Sequence, residues 1–142
     1  MDLILKVKRL HQDAVLPHIE HRGDAGFDLY STQKIILKPG ERTQVPTGIA
    51  FEIPTGYVGL VWDKSGLSHR HGLKTLGGVI DSGYRGEILI GIMNLSQDEY
   101  TIEQGHKVAQ MIVQKREWVE VREVDELSIT ERGDGGFGST GK

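Results

Sequence analysis

The chain has 142 residues, a formal net charge of −3 and no cysteine. That length suits one domain with a modest core. The charge argues against a general nucleic-acid-binding surface, and the missing thiols exclude disulfides, cysteine nucleophiles and thiolate metal sites. Nineteen glycines, about twice the usual share of roughly 7%, imply many turns rather than long helices. No apolar run approaches the roughly 20 residues that cross a bilayer. The opening Met1-Asp2-Leu3-Ile4-Leu5-Lys6 becomes charged too soon for a signal peptide. A soluble, cytoplasmic protein is expected, with neither nucleic acid nor membrane as a partner.

Leu3 to Val7 alternates loosely and predicts a first strand. Residues 9–25 are polar, contain Pro17 and Gly23, and predict a loop. Short strands follow at Ala25–Ser31 and Lys34–Lys38, the second closed by Pro39-Gly40. Arg42 to Val45 begins a strand that Pro46 is expected to interrupt; Ile49, Phe51 and Ile53 then alternate up to a Pro54-Thr55-Gly56 turn. Tyr57–Trp62 is a strand, and residues 63–73 are a loop or a short helix. Leu76–Ile80 and Glu87–Met93 read as the arms of a hairpin around a Ser-Gly turn. Further strands fall at Thr101-Ile102 and Val108–Val113, and Trp118, Val119, Val121 and Val124 form a last apolar cluster. Many short strands with closely spaced turns predict an all-β sandwich or barrel.

Several stretches carry groups suited to chemistry. Gly78-Val79-Ile80-Asp81-Ser82-Gly83-Tyr84 sets a carboxylate and an aromatic at a turn. Such a mouth can read a planar polar ring with main-chain groups, and Asp81 can take a proton from water. The same pattern also suits an ordinary turn with a solvated Asp. Asp63-Lys64-Ser65-Gly66-Leu67-Ser68 offers an ammonium, hydroxyls and exposed amides suited to phosphate oxygens, or simply a capped polar loop. Gln110 interrupts an apolar run, so it faces solvent or donates its amide to a ligand. His69 and His71 lack the further ligands that would complete a zinc site. The tail Arg132–Lys142 has five glycines in eleven residues, a composition that packs no core. Its Gly136–Lys142 spells most of a P-loop, but no helix follows to face the phosphates. Arg132, Ser139, Thr140, Lys142 and the glycine amides can still wrap a polyphosphate as an arm, with Phe137 stacked on a base.

Five segments, Ala25–Ser31, Asp63–Leu73, Gly78–Glu87, Gly105–Ile112 and Arg132–Gly141, resemble in order and spacing the five motifs of the homotrimeric dUTP pyrophosphatases, the dUTPases. The resemblance spans nearly the whole chain. It implies a jelly-roll-like (β-clip) protomer over residues 1–130, a C-terminal arm over 131–142 that closes on the active site, and a homotrimer with sites at subunit interfaces. It implies hydrolysis of dUTP to dUMP and pyrophosphate, which limits uracil in DNA and supplies dUMP for dTMP synthesis. By this resemblance Asp81 is the base that activates water for attack on the α-phosphate. Gly78, Val79 and Ile80 bind uracil through the main chain, and Tyr84 lies under the deoxyribose. Lys64, Ser65, Gly66 and Gln110 hold phosphates. Phe137 covers the uracil, while Arg132, Gly138, Ser139 and Thr140 close on the triphosphate. Mg²⁺ is implied as cofactor, held by triphosphate and water without direct protein ligands, with Asp28 orienting its hydration shell.

The chain departs from the motifs at Lys64, where Arg is usual, and at His106, where an acidic or neutral residue is usual. Lys keeps the charge at the first position but loses the planar fork. Two rivals of other classes are a dCTP deaminase-like enzyme and a non-catalytic nucleotide-binding module. The deaminase base is a Glu at the position of Gly91 here, and a pure binder has no need of Asp81.

Overall fold

Alternating apolar residues become strands with one face inward. In Glu87–Asn94, Ile88, Ile90 and Ile92 are each 1% exposed, while the residues between them face outward or sit half-buried. Full burial of each isoleucine contributes about 1.5–3 kcal/mol. The computed structural model describes residues 3–139 and 141. The expected contacts of Thr140 and Lys142 lie outside the described residues.

The strands are β1 (Lys6–Arg9), β2 (Phe27–Tyr30), β3 (Ile35–Leu37), β4 (Arg42–Glu52), β5 (Tyr57–Trp62), β6 (Leu73–Leu76), β7 (Val79–Ile80), β8 (Glu87–Asn94), β9 (Tyr100–Ile102) and β10 (Lys107–Lys115). Among the described residues one helix, α1 (Ser65–His71), precedes β6. A first sheet runs β1-β4-β8-β6, a second runs β2-β10-β5-β7, and β3 pairs with β9 alone. One apolar core unites both four-stranded sheets: Val45 and Phe51 of β4 and the β8 isoleucines meet Phe27 and Leu29 of β2 and Met111 of β10. Phe27 and Phe51 touch edge to face across it, with centroids 5.9 Å apart. The all-β expectation holds. No described helix is long and apolar enough to cross a membrane.

Three expectations need correction. Pro46 does not end its strand. β4 runs through it and absorbs the fault as a register shift between Pro46 and Ala50, with Gly48 at φ +67°. The carbonyl of Pro46 accepts from the amide and hydroxyl of Thr32 (3.0 and 3.1 Å).

The segment around Asp81 is not a hairpin. β8 pairs with β6, whereas β7 pairs with β5 in the other sheet. Gly77 (φ +69°) and Gly78 (φ +115°) turn the chain out of the first sheet, and residues 81–86 carry it back. Finally, the expected last apolar cluster is not packed: Trp118 is 84% exposed and Val121 92%. The amide of Arg116 donates to Gly56; among the described residues, the side-chain hydrogen bonds and ion pairs beyond it stay local.

Candidate active site

Two concave regions hold most of the expected site residues, and they lie towards opposite edges of the second sheet. The first hangs from its β7 edge. Gly78 approaches β5 closely enough for its carbonyl to take the Val61 amide at 2.7 Å. Val79 and Ile80 then pair with Leu60 and Gly59. Because β7 is an edge strand, main-chain groups on its outer side have no strand partner.

Asp81 and Tyr84 close a tight turn, the Tyr84 amide donating to the Asp81 carbonyl at 3.1 Å. The Tyr84 hydroxyl donates to the Glu87 carbonyl at 2.9 Å, which holds the ring across the turn. Gly86 is required here, since a Cβ would collide with that hydroxyl. The resulting cleft of about 270 Å³ is walled by Val79, Ile80, Tyr84 and Leu89, with Asp81 exposed at its mouth. An accessible carboxylate beside an apolar wall and an aromatic ring suits a general base that acts on water.

The second region lies at the β2–β10 side. Asp28 of β2 and Gln110 of β10 stand opposite each other in register. Asp28, its side chain 14% exposed, bridges Lys64 at 2.6 Å and Lys107 at 3.0 Å. Lys107 also reaches Glu20 at 3.3 Å. Burial alone would raise the Asp28 pKa, but the two ammonium groups outweigh it and hold the carboxyl below its ordinary value. The same hydrogen bonds to Asp28 and Glu20 raise the pKa of Lys107. These groups line a polar cavity of about 270 Å³.

Gln110 is not simply solvent-facing: its amide donates to the Asp63 carbonyl at 2.9 Å. Asp63 in turn accepts from the Thr75 amide at 2.6 Å and Lys74 at 2.7 Å. Its pKa is lowered, because these bonds outweigh its burial. That web fixes the entry to α1, where Ser65 and Gly66 stand exposed. A Cβ on Gly66 would meet no atom of this chain, so the space beside it is open.

The described residues of the tail join neither region. Arg132 Nε donates to the Gly135 carbonyl at 2.7 Å, and the Ser139 amide to Gly136. Phe137, at φ +49°, is fully exposed. The chain therefore brings Val79, Ile80, Asp81 and Tyr84 together, and separately Asp28, Lys64 and Gln110. It leaves Arg132, Phe137, Gly138 and Ser139 apart from both. Sequence reasoning missed Glu20, Lys107 and the Glu87 carbonyl. Lys107 and Asp28 are separated by most of the chain, so no local spacing signals their pairing. His71 packs its ring against Tyr100 at 4.8 Å. Gly91 lies against the Leu76 carbonyl, 3.0 Å from where a Cβ would stand, so a side chain there would crowd β6.

The family model for dUTPase matches residues 12–141. The chain belongs to the dUTPase family. The deoxyuridine 5′-triphosphate nucleotidohydrolase of Clostridium kluyveri is 48% identical over 139 residues, covering 96% of this chain and 97% of that protein. That of Mycolicibacterium gilvum is 49% identical over 149 residues, covering 99% and 97%. The dUTPase of Staphylococcus bacteriophage 80alpha, solved with dUPNHPP, superposes with a TM-score of 0.92 at 34% identity, covering 98% of this chain and 99% of that one. A variant dUTPase from phage phi11 of S. aureus, whose structure describes a structural Mg(II) ion, gives 0.83 at 30% identity over 89% and 99%. The dUTPase fold is thus shared at both levels.

Proposed function

We propose that this dUTPase-family chain hydrolyses dUTP to dUMP and pyrophosphate, with Asp81 as the base. The observation that carries the reading is the Asp81–Tyr84 turn, which sets an accessible carboxylate between an unpaired strand edge and an aromatic ring. Uracil hydrogen-bonds to main-chain groups of Gly78, Val79 and Ile80. Tyr84 supports the deoxyribose and crowds out a 2′-hydroxyl. Asp81 takes a proton from water as its oxygen attacks the α-phosphorus, and the α–β bridging oxygen leaves with pyrophosphate. Such a base is worth about 10²–10⁴ in rate. Lys64, Ser65, Gly66 and Gln110 hold phosphate oxygens, while Arg132, Phe137, Gly138, Ser139 and Thr140 close from the arm.

Magnesium fits as part of the substrate. Among the described residues no three His, Asp or Glu side chains form a cage, and both oxygens of Asp28 are engaged by lysines. Mg²⁺ bound by triphosphate and water would neutralise phosphate charge, with Asp28 orienting that water. Assembly is part of the reading. The two regions lie towards opposite edges of the second sheet, and Trp118, Val119, Val121 and Val124 present apolar surface that needs cover. A homotrimer, residues 1–130 as its body and 131–142 as its arm, joins the regions between subunits. In the cytoplasm this activity limits uracil in DNA and supplies dUMP for dTMP.

Pyrophosphate release should be measured with dUTP, dCTP and UTP in parallel, with Mg²⁺ present and then chelated. Turnover of dUTP alone, lost on chelation, is expected. Binding without release would make the protein a nucleotide-binding module, and ammonia release from dCTP would make it a deaminase.

A further inference from the structure

The turn that carries Asp81 and Tyr84 has one main-chain hydrogen bond of its own, from Tyr84 to Asp81 at 3.1 Å. A six-residue crossing between two sheets needs more than that to hold two functional side chains in one geometry. Arg85 supplies it. Its Nη1 donates to the Ser82 carbonyl at 2.7 Å and to the Tyr84 carbonyl at 3.1 Å. These carbonyls belong to the peptide planes that follow Ser82 and Tyr84. Fixing them restrains the backbone on both sides of Gly83, the segment that joins Asp81 to Tyr84. Tyr84 is then pinned at its far end by Glu87.

Arg85 does not line the Asp81 cleft; it borders a separate groove with Lys6, Lys8 and Glu52. Glu52 is already paired with Lys6 at 2.9 Å. The guanidinium therefore does its work through the turn rather than on a ligand in the cleft. Guanidinium suits the task because it is planar, always charged, and keeps one nitrogen in reach of two carbonyls.

We infer that Arg85 is a positioning residue, a side-chain staple across the turn that holds Asp81 and Tyr84 in register for the reaction proposed above. Its effect on catalysis rests on that proposal; its effect on the turn does not. The staple acts on orientation, so its loss lowers kcat more than it raises KM. It also loosens discrimination against UTP, because the sugar floor moves.

Three readouts test this in Arg85→Ala and Arg85→Lys, beside the wild type: kinetics for dUTP and UTP, melting temperature, and amide exchange at Tyr84 by NMR. In Arg85→Ala, kcat for dUTP should fall about tenfold or more. The UTP-to-dUTP ratio of kcat/KM should rise several-fold, and Tyr84 exchange should quicken. Melting should change little, since Arg85 is exposed. Guanidinium ion at low, non-denaturing concentration should restore part of kcat in Arg85→Ala and leave the wild type unchanged. Arg85→Lys, which keeps the charge but not the rigid planar donor, should be intermediate in exchange and selectivity. Unchanged exchange and selectivity in both variants would overturn the staple, even if kcat fell. If the wild type did not hydrolyse dUTP, the proposed function would fail, while Tyr84 exchange would still decide for or against Arg85. If Arg85→Ala did not fold, exchange in Arg85→Lys would decide it.

Discussion

Gly77 and Gly78 offer a paired test of how β7, the strand proposed to bind uracil, is made. Both have positive φ, +69° and +115°. A Cβ on Gly77 would meet nothing within 4 Å, whereas one on Gly78 would stand 2.8 Å from the Val61 carbonyl oxygen and 3.1 Å from Val61 Cβ. Gly77→Ala should therefore cost only the left-handed backbone penalty, about 1 kcal/mol. Gly78→Ala adds a backbone clash in a region nearly closed to side chains, roughly 1–3 kcal/mol. It also threatens the Gly78–Val61 hydrogen bond, about 1 kcal/mol, for a total of roughly 2–4 kcal/mol. The easiest relief is to peel the two-residue β7 from β5, since that breaks little else. The free energy then reappears when uracil must bind an ordered edge. At about 1.4 kcal/mol per tenfold, the lower figure predicts a roughly 30-fold fall in kcat/KM for dUTP. Pyrophosphate release gives kcat/KM, and urea unfolding at one fixed protomer concentration gives stability. If the two alanine variants had equal kcat/KM, the close approach at Gly78 would not shape the site.

Asp81→Asn should keep dUTP binding and lower turnover by about 10²-fold or more; near-normal single-turnover rates would move the base elsewhere. The folded pKa values of Asp28 and Asp63 lie below their ordinary ones. Their contribution to stability is thus present above the unfolded value, about 3.9, and is lost as pH falls through the folded values. Urea midpoints should hold between pH 7 and 5, drop below about pH 4, and drop less steeply in Asp28→Asn; identical profiles would deny the role of the lysine bridges. Asp81→Asn and a chain ending at Thr130, each inactive alone, should recover about a quarter of wild-type activity when unfolded, mixed equally and refolded, as random trimers with shared sites require. Mixed trimers without recovery would place the arm over its own subunit.

Much of the body can be read from pattern alone. Ile49, Phe51 and Ile53 alternate and are buried, and Pro-Gly turns separate the strands as expected. The failures share one cause, which is that pairing partners are not adjacent in the chain. Two apolar arms around Ser82-Gly83 look like a hairpin until β5 claims one and β6 the other. Pro46 looks terminal until Gly48 bends the strand past it. Trp118 and Val121 look like core because composition does not reveal that the chain leaves the sheets after Lys115 and exposes them. In the site, Asp81, Tyr84 and Lys64 stand in recognisable local contexts. Glu20 and Lys107 acquire meaning only from a carboxylate on a distant strand. Arg85 acts through two carbonyls, which sequence does not display.

The position of β10 has a consequence for synthesis. It is the last strand in the chain, yet it lies inside the second sheet, between β2 and β5. The first sheet has all its strands once Asn94 is made; the second waits for Lys115. At about 5–20 residues per second that delay is roughly one to four seconds. During it, β2 has no neighbour in its sheet, and the apolar faces of β4 and β8 lack much of their cover. Chaperones that bind nascent apolar strands therefore have their opening in this interval. Lys107 and Gln110 arrive at its end, so a ribosome stalled before them carries Asp81 and Lys64 but lacks the contacts of Lys107 to Asp28 and of Gln110 to Asp63, and its unfinished product should not consume dUTP.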